Sequence, residues 1–94
     1  MHLDHLQTEK YFLVVSNNRR NEALQSCLVL RITTTPKPAL PSIVELTSLD
    51  PVAGRILCDD IVEIYLDEIR RDLGAVSVPT MTGVASGLRA ALAI

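Results

Sequence analysis

Apolar residues gather in short runs along the chain, and the period of the pattern changes once, near residue 77. YFLVVS (11–16) is a continuous apolar run with β-branched and aromatic members, which predicts a buried strand. NNRRNEALQ (17–25) is polar and asparagine-rich, so it reads as a loop with room for one helical turn. CLVLRIT (27–33) is a second strand. TPKPALP (35–41) cannot continue a ladder, because each proline lacks an N–H; it predicts a stiff, exposed connection. SIVEL (42–46) is a third strand, followed by a turn signal at Asp50-Pro51 and Gly54.

RILCDDIVEIYL (55–66) holds two strand-like pieces around Asp59 and Asp60, and two adjacent acids there predict either a bulge or a strand break. DEIRRDLG (67–74) is polar and reads as a short turn and strand. Beyond it, Met81, Val84, Leu88 and Leu92 recur at i, i+3, i+7 and i+11, one face of a helix over 78–93. Ser77 suits its N-cap and Pro79 its first turn. Gly83 and Gly87 each cost about 1 kcal/mol relative to alanine in a helix. Their four-residue spacing offers a flat strip for close packing.

Consecutive short strands usually pair antiparallel. The expected architecture is therefore mainly β (α+β): a small, twisted sheet or partly closed barrel with a C-terminal helix. The 94 residues fit one domain, 1–94. A chain of this size buries a modest core, so self-association into a homodimer is expected to add buried area. A hydrophobic content of 48% without low-complexity tracts marks a globular chain.

No apolar run is long enough to span a membrane, and MHLDHLQTEK lacks the regions of a secretory signal. Cys27 and Cys58 sit inside apolar runs and read as reduced core thiols; a cytoplasmic location is expected. They are too few and too isolated for a zinc site, and no metal or other cofactor is expected.

The net charge of −2 is unevenly spread. Residues 1–40 carry five cations against three acids, and residues 41–94 four arginines against eight acids. That excludes a general nucleic-acid coat and leaves space for a local basic site in the first half. Three aromatics, Tyr11, Phe12 and Tyr65, are too few for a broad base-stacking platform.

The ordered runs KYFLVVSN, LVLRITT, LPSIVEL, DDIVEI and VSVPTMTGVASGL together resemble the MazF/PemK family of toxin endoribonucleases, also called mRNA interferases. The resemblance spans about residues 9–94. It implies an SH3-like barrel with a C-terminal helix and a homodimer. It also implies metal-independent cleavage of single-stranded RNA and a cognate antitoxin that covers the RNA groove. The family's catalytic pair, an arginine opening one strand and a threonine ending the next, falls by position on Lys10 and Thr33. Lys10-Tyr11 stands where the family has Arg-Pro. MHLDHLQTE does not read as the family's first strand, so residues 1–9 are expected to be flexible.

In such cleavage the ribose 2′-OH attacks the neighbouring phosphate. A base takes its proton, a cation stabilises the phosphate oxygens and an acid protonates the leaving 5′ oxygen. Thr33 can hold a hydroxyl on the phosphate; alternatively it is a strand-end threonine bonded to its own backbone. Lys10 supplies charge without the planar two-pronged grip of arginine, and burial would tune it towards a base. Arg19, Arg20, Arg31, Thr34 and Lys37 are the candidate RNA contacts; for the loop cations the plain alternative is a solvated surface. His2 and His5 lie in a terminus expected to fray. Asp59 and Asp60, adjacent on a strand, point to opposite faces and cannot chelate together.

Two other readings stand beside the nuclease. One is a degenerate relative that binds RNA or antitoxin without cutting. The other is a related toxin acting on a protein target.

Overall fold

A computed structural model describes residues 2–5 and 8–94, with side chains from Lys10 onward. The elements are β1 (His2–His5), β2 (Thr8–Val14), α1 (Asn18–Leu24), β3 (Ser26–Thr33), β4 (Ile43–Glu45), β5 (Arg55–Tyr65), a 3-10 turn (Leu66–Glu68) and α2 (Val78–Leu92). All strand pairs are antiparallel, in the order β1-β2-β3-β5-β4. The fold is thus the expected small antiparallel sheet with a terminal helix.

Three local expectations need correction. Residues His2–His5 form a strand, paired from His2↔Tyr11 to His5↔Thr8, rather than a flexible lead. The side chains of His2 and His5 lie outside those described. Residues 18–24 form a true helix. The Asn17 side chain caps it by accepting the Arg20 N–H at 2.9 Å, and Gln25 ends it in the left-handed region at φ 53°. No strand forms in 67–74, which instead begins in the 3-10 turn and continues as a loop.

The strands read as near-continuous apolar runs because both faces of the sheet are covered. On one face Phe12, Cys27, Val29 and Ile64 form a buried cluster, closed by Leu66 and Ile69 of the following segment. On the other, Leu30, Ile56 and Cys58 pack with Val84 and Leu88 of α2. Burial pushes both thiols up; a nearby charge, Arg20, partly counters this at Cys27, and Asp59 adds to it at Cys58. They are inert core groups.

The buried face of α2 is rotated from the expected one. Thr80, Val84 and Gly87 are buried, whereas Met81 and Leu92 are exposed. The reason is the glycine strip. A Cβ at Gly87 would stand 2.7 Å from the Cys58 sulfur, and one at Gly83 would stand 3.3 Å from Val44. The helix turns its smallest residues inward so that its backbone can approach β4 and β5 closely.

Asp50 fastens the start of α2. Its carboxylate accepts the Ser77 N–H at 2.7 Å and the Thr80 hydroxyl at 2.7 Å, and also the Thr47 N–H at 2.8 Å. Partial burial raises its pKa, and these hydrogen bonds together outweigh that, holding it well below the usual carboxylate range.

Candidate active site

The geometry begins with register. β2 and β3 pair as Tyr11↔Ile32 and Phe12↔Arg31. The β2–β3 ladder ends at Tyr11↔Ile32, with Lys10 and Thr33 the next residue on each strand. Alternation along each strand then places Lys10, Phe12, Arg31 and Thr33 on one face. They line an open recess of about 480 Å³ with Tyr11, Ile32, Thr34 and Ala53.

Thr33 is held in place. Its Oγ1 accepts the Thr35 N–H at 3.1 Å, the local backbone bond expected of a strand-end threonine. A hydroxyl that accepts one bond still has its own proton to donate. The two readings of Thr33 are therefore compatible. Gly54 supports the Thr33 backbone from behind, where a Cβ would meet the Thr33 carbonyl oxygen at 2.6 Å. Arg55 closes the rim: it pairs with Glu45 at 2.9 Å and donates to the Thr34 carbonyl at 3.4 Å.

Lys10 is exposed rather than buried. Arg31 is half-exposed, and its Nη1 donates to Asp60 at 3.2 Å. The partner is brought there by the bulge expected at Asp59-Asp60. Pairing runs Leu30↔Ile61 and then jumps to Arg31↔Leu57, so residues 58–60 lie outside the ladder while β5 continues unbroken. Asp59 and Asp60 both line a neighbouring recess of about 370 Å³ with Lys37, Ile43 and Leu57. No cluster of three or more metal-ligating side chains occurs among the described residues.

The remaining candidates lie elsewhere. Lys37 belongs to that second recess rather than to the one holding Lys10. Arg19 is exposed on α1. Arg20 turns back onto the sheet, donating to the Ser26 carbonyl at 3.0 Å and pairing with Glu63 at 3.2 Å. Ser26 begins β3 and Thr33 ends it, a separation of roughly 23 Å at strand rise. Phe12 and Ala53 also line the recess, and Gly54 and Arg55 contact the backbone of Thr33 and Thr34 at its edge. The Gly54 turn signal was the one hint of them.

A further recess of about 450 Å³, lined by Phe12, Leu13, Val14, Ile69, Val76 and Met81 among others, is mainly apolar and includes no cation among its described lining. No helix among the described residues is long and apolar enough to cross a membrane.

Comparison with known proteins places this geometry in context. Residues 3–92 match the family described as PemK-like, MazF-like toxin of type II toxin-antitoxin system. The chain is 34% identical over 85 residues to endoribonuclease MazF1 of Mycobacterium bovis, covering 90% of this chain and 80% of that protein. Endoribonuclease MazF4 of Mycobacterium tuberculosis matches equally well, at 34% over 85 residues. Among solved structures, an endoribonuclease in complex with its cognate antitoxin from a mycobacterial species superposes with TM-score 0.89 at 32% identity, covering 99% of this chain and 89% of that one.

Proposed function

The chain belongs to the PemK-like, MazF-like toxin family of type II toxin-antitoxin systems, and on that premise we propose that it is an endoribonuclease whose Lys10–Thr33 recess cuts single-stranded RNA. The observation that carries the reading is that two residues 23 positions apart in the chain line one open recess together with a second cation, Arg31. A cytoplasmic toxin acting on mRNA, working as a homodimer and silenced by an antitoxin, is the corresponding setting. The related mycobacterial endoribonuclease solved with its cognate antitoxin supports the last part.

The chemistry follows from the lining. The 2′ oxygen bonds to phosphorus as it gives its proton to solvent water, and the bond from phosphorus to the 5′ oxygen breaks as that oxygen takes a proton from the Lys10 ammonium. The products are a 2′,3′-cyclic phosphate and a 5′-hydroxyl end. Thr33, its oxygen held by the Thr35 N–H, donates its hydroxyl proton to a phosphate oxygen. In this reading Lys10 neutralises charge on the phosphate and acts as the acid for the leaving oxygen. No metal is required by this scheme. Bases on either side remain unpaired and are read along the open rim.

The test is incubation of the purified protein with a long unstructured RNA in EDTA, followed by mapping of new ends. Discrete 5′-hydroxyl ends, lost with Thr33→Ala, are expected. RNA left intact by the parent protein would refute the enzyme and leave a binding protein.

A further inference from the structure

Lys10 offers the recess a point charge, whereas a guanidinium offers phosphate a planar, two-pronged grip. Arg31 is the guanidinium in the recess. It sits at the residue where the β3–β5 register shifts, and its Nη1 is held by Asp60 at 3.2 Å. We propose that Arg31 is a catalytic residue that grips the scissile phosphate beside Lys10 and Thr33, and that Asp60 is the positioning residue that aims it. The inference rests on the recess being the RNA-cleaving site.

Three observations support this assignment. The Arg31–Asp60 pair is half-exposed, the kind of ion pair that contributes little to stability. Its geometry uses one guanidinium nitrogen and leaves the other N–H donors of Arg31 for a phosphate. Asp60 lines the adjoining recess with Leu57 and Lys37, whereas Arg31 lines the one that holds Lys10. An arginine anchored through one nitrogen loses less rotamer freedom when the substrate arrives.

The experiment compares Arg31→Ala, Arg31→Lys, Asp60→Ala and Asp60→Asn with the parent protein. It uses a cleavable RNA and an otherwise identical oligonucleotide with a 2′-deoxy residue at the cut site. Arg31→Ala should lower kcat/KM by about 10²–10³, the usual loss for one stabilising donor. Arg31→Lys should recover little of that. For the uncleavable strand, Arg31→Ala should reduce the slope of log affinity against log salt by about 0.7, one phosphate contact on a single strand. Asp60→Ala should lower kcat by about 10–100-fold through misplacement. Asp60→Asn, whose amide oxygen still accepts from Nη1, should recover most of it. Thermal melting of each variant separates these losses from unfolding. If the parent cleaves and Arg31→Ala cleaves within a few-fold of it, the assignment of Arg31 fails while the enzyme stands. If Asp60→Asn is as slow as Asp60→Ala with melting unchanged, positioning by hydrogen bonding fails. If the parent does not cleave at all, the underlying reading fails first.

Discussion

Gly87 of α2 lies so close to Cys58 of β5 that an added Cβ would stand 2.7 Å from the sulfur and 3.1 Å from the Pro41 carbonyl oxygen. Helix propensity alone would reward alanine there by about 1 kcal/mol. Overpacking costs about 1–3 kcal/mol, and here a backbone oxygen blocks relief. Gly87→Ala should therefore melt lower than the parent, whereas Gly83→Ala, which meets only the Val44 side chain at 3.3 Å, should melt at or above it. Differential scanning fluorimetry of the two variants checks the contrast. A stabilised Gly87→Ala would show that α2 does not press on β5.

Gly54 carries a second backbone requirement, at the site itself. Its φ of +128° is strained for any L side chain, and a Cβ would meet the Thr33 carbonyl oxygen at 2.6 Å. Strain of this kind costs about 1–3 kcal/mol before the clash is counted. Gly54→Ala should lose at least that much stability and displace Thr33. The amide shift of Thr33 by NMR and the RNA cleavage rate should change together.

Asp50 sets the acid limit of the fold. Its folded pKa lies below the unfolded value, so its stabilisation is fully present above about pH 4. It is lost as pH falls from there through the folded value. Glu63 is lowered as well, by hydrogen bonds from Ser26 and then Arg20, so its contribution has the same sign. Asp50→Ala should cost about 2 kcal/mol at neutral pH, the range for hydrogen bonds to a charged group. It should also flatten the fall in melting temperature as pH drops below about 4. An unchanged pH profile would remove Asp50 from this role.

Lys10 and Thr33 carry the activity prediction. Lys10→Ala should slow RNA cleavage by about 10²-fold or more. Lys10→Arg should stay within a few-fold of the parent, because charge is kept and Arg31 already supplies the planar grip. Initial rates in EDTA with matched protein concentrations decide this. A Lys10→Ala protein as fast as the parent would take Lys10 out of the site.

Arg20 should behave as a fold residue. Its bonds to the Ser26 carbonyl and Glu63 tie α1 to the sheet, and Asn21 continues the tie by accepting the Ser16 hydroxyl at 2.6 Å. Arg20→Ala should lower the melting temperature while leaving the salt dependence of RNA binding unchanged. Loss of a salt-slope unit with unchanged melting would restore it as an RNA contact.

The runs that become β2 to β5, the terminal helix and the irregularity at Asp59-Asp60 were legible along the chain, because each rests on local signals: apolar runs, proline breaks, an N-cap serine and paired acids; that β3 pairs with β5 rather than with the next strand, β4, was not. The residue types at the recess were legible too, through Lys10, Arg31 and Thr33. Helix α1 was not. Its one buried residue is Asn21, and it is held by polar contacts to Ser16 and Ser26 rather than by an apolar stripe. Strand β1 was hidden for a related reason: its order comes from pairing with β2, and HLDH by itself carries no strong strand pattern. Tertiary structure alone decided which face of α2 is buried, that Arg20 bonds to Ser26 and Glu63, and that Asp60 pairs with Arg31. Each of these depends on strand register and close backbone approach, which are properties of segments far apart in sequence once they are packed together.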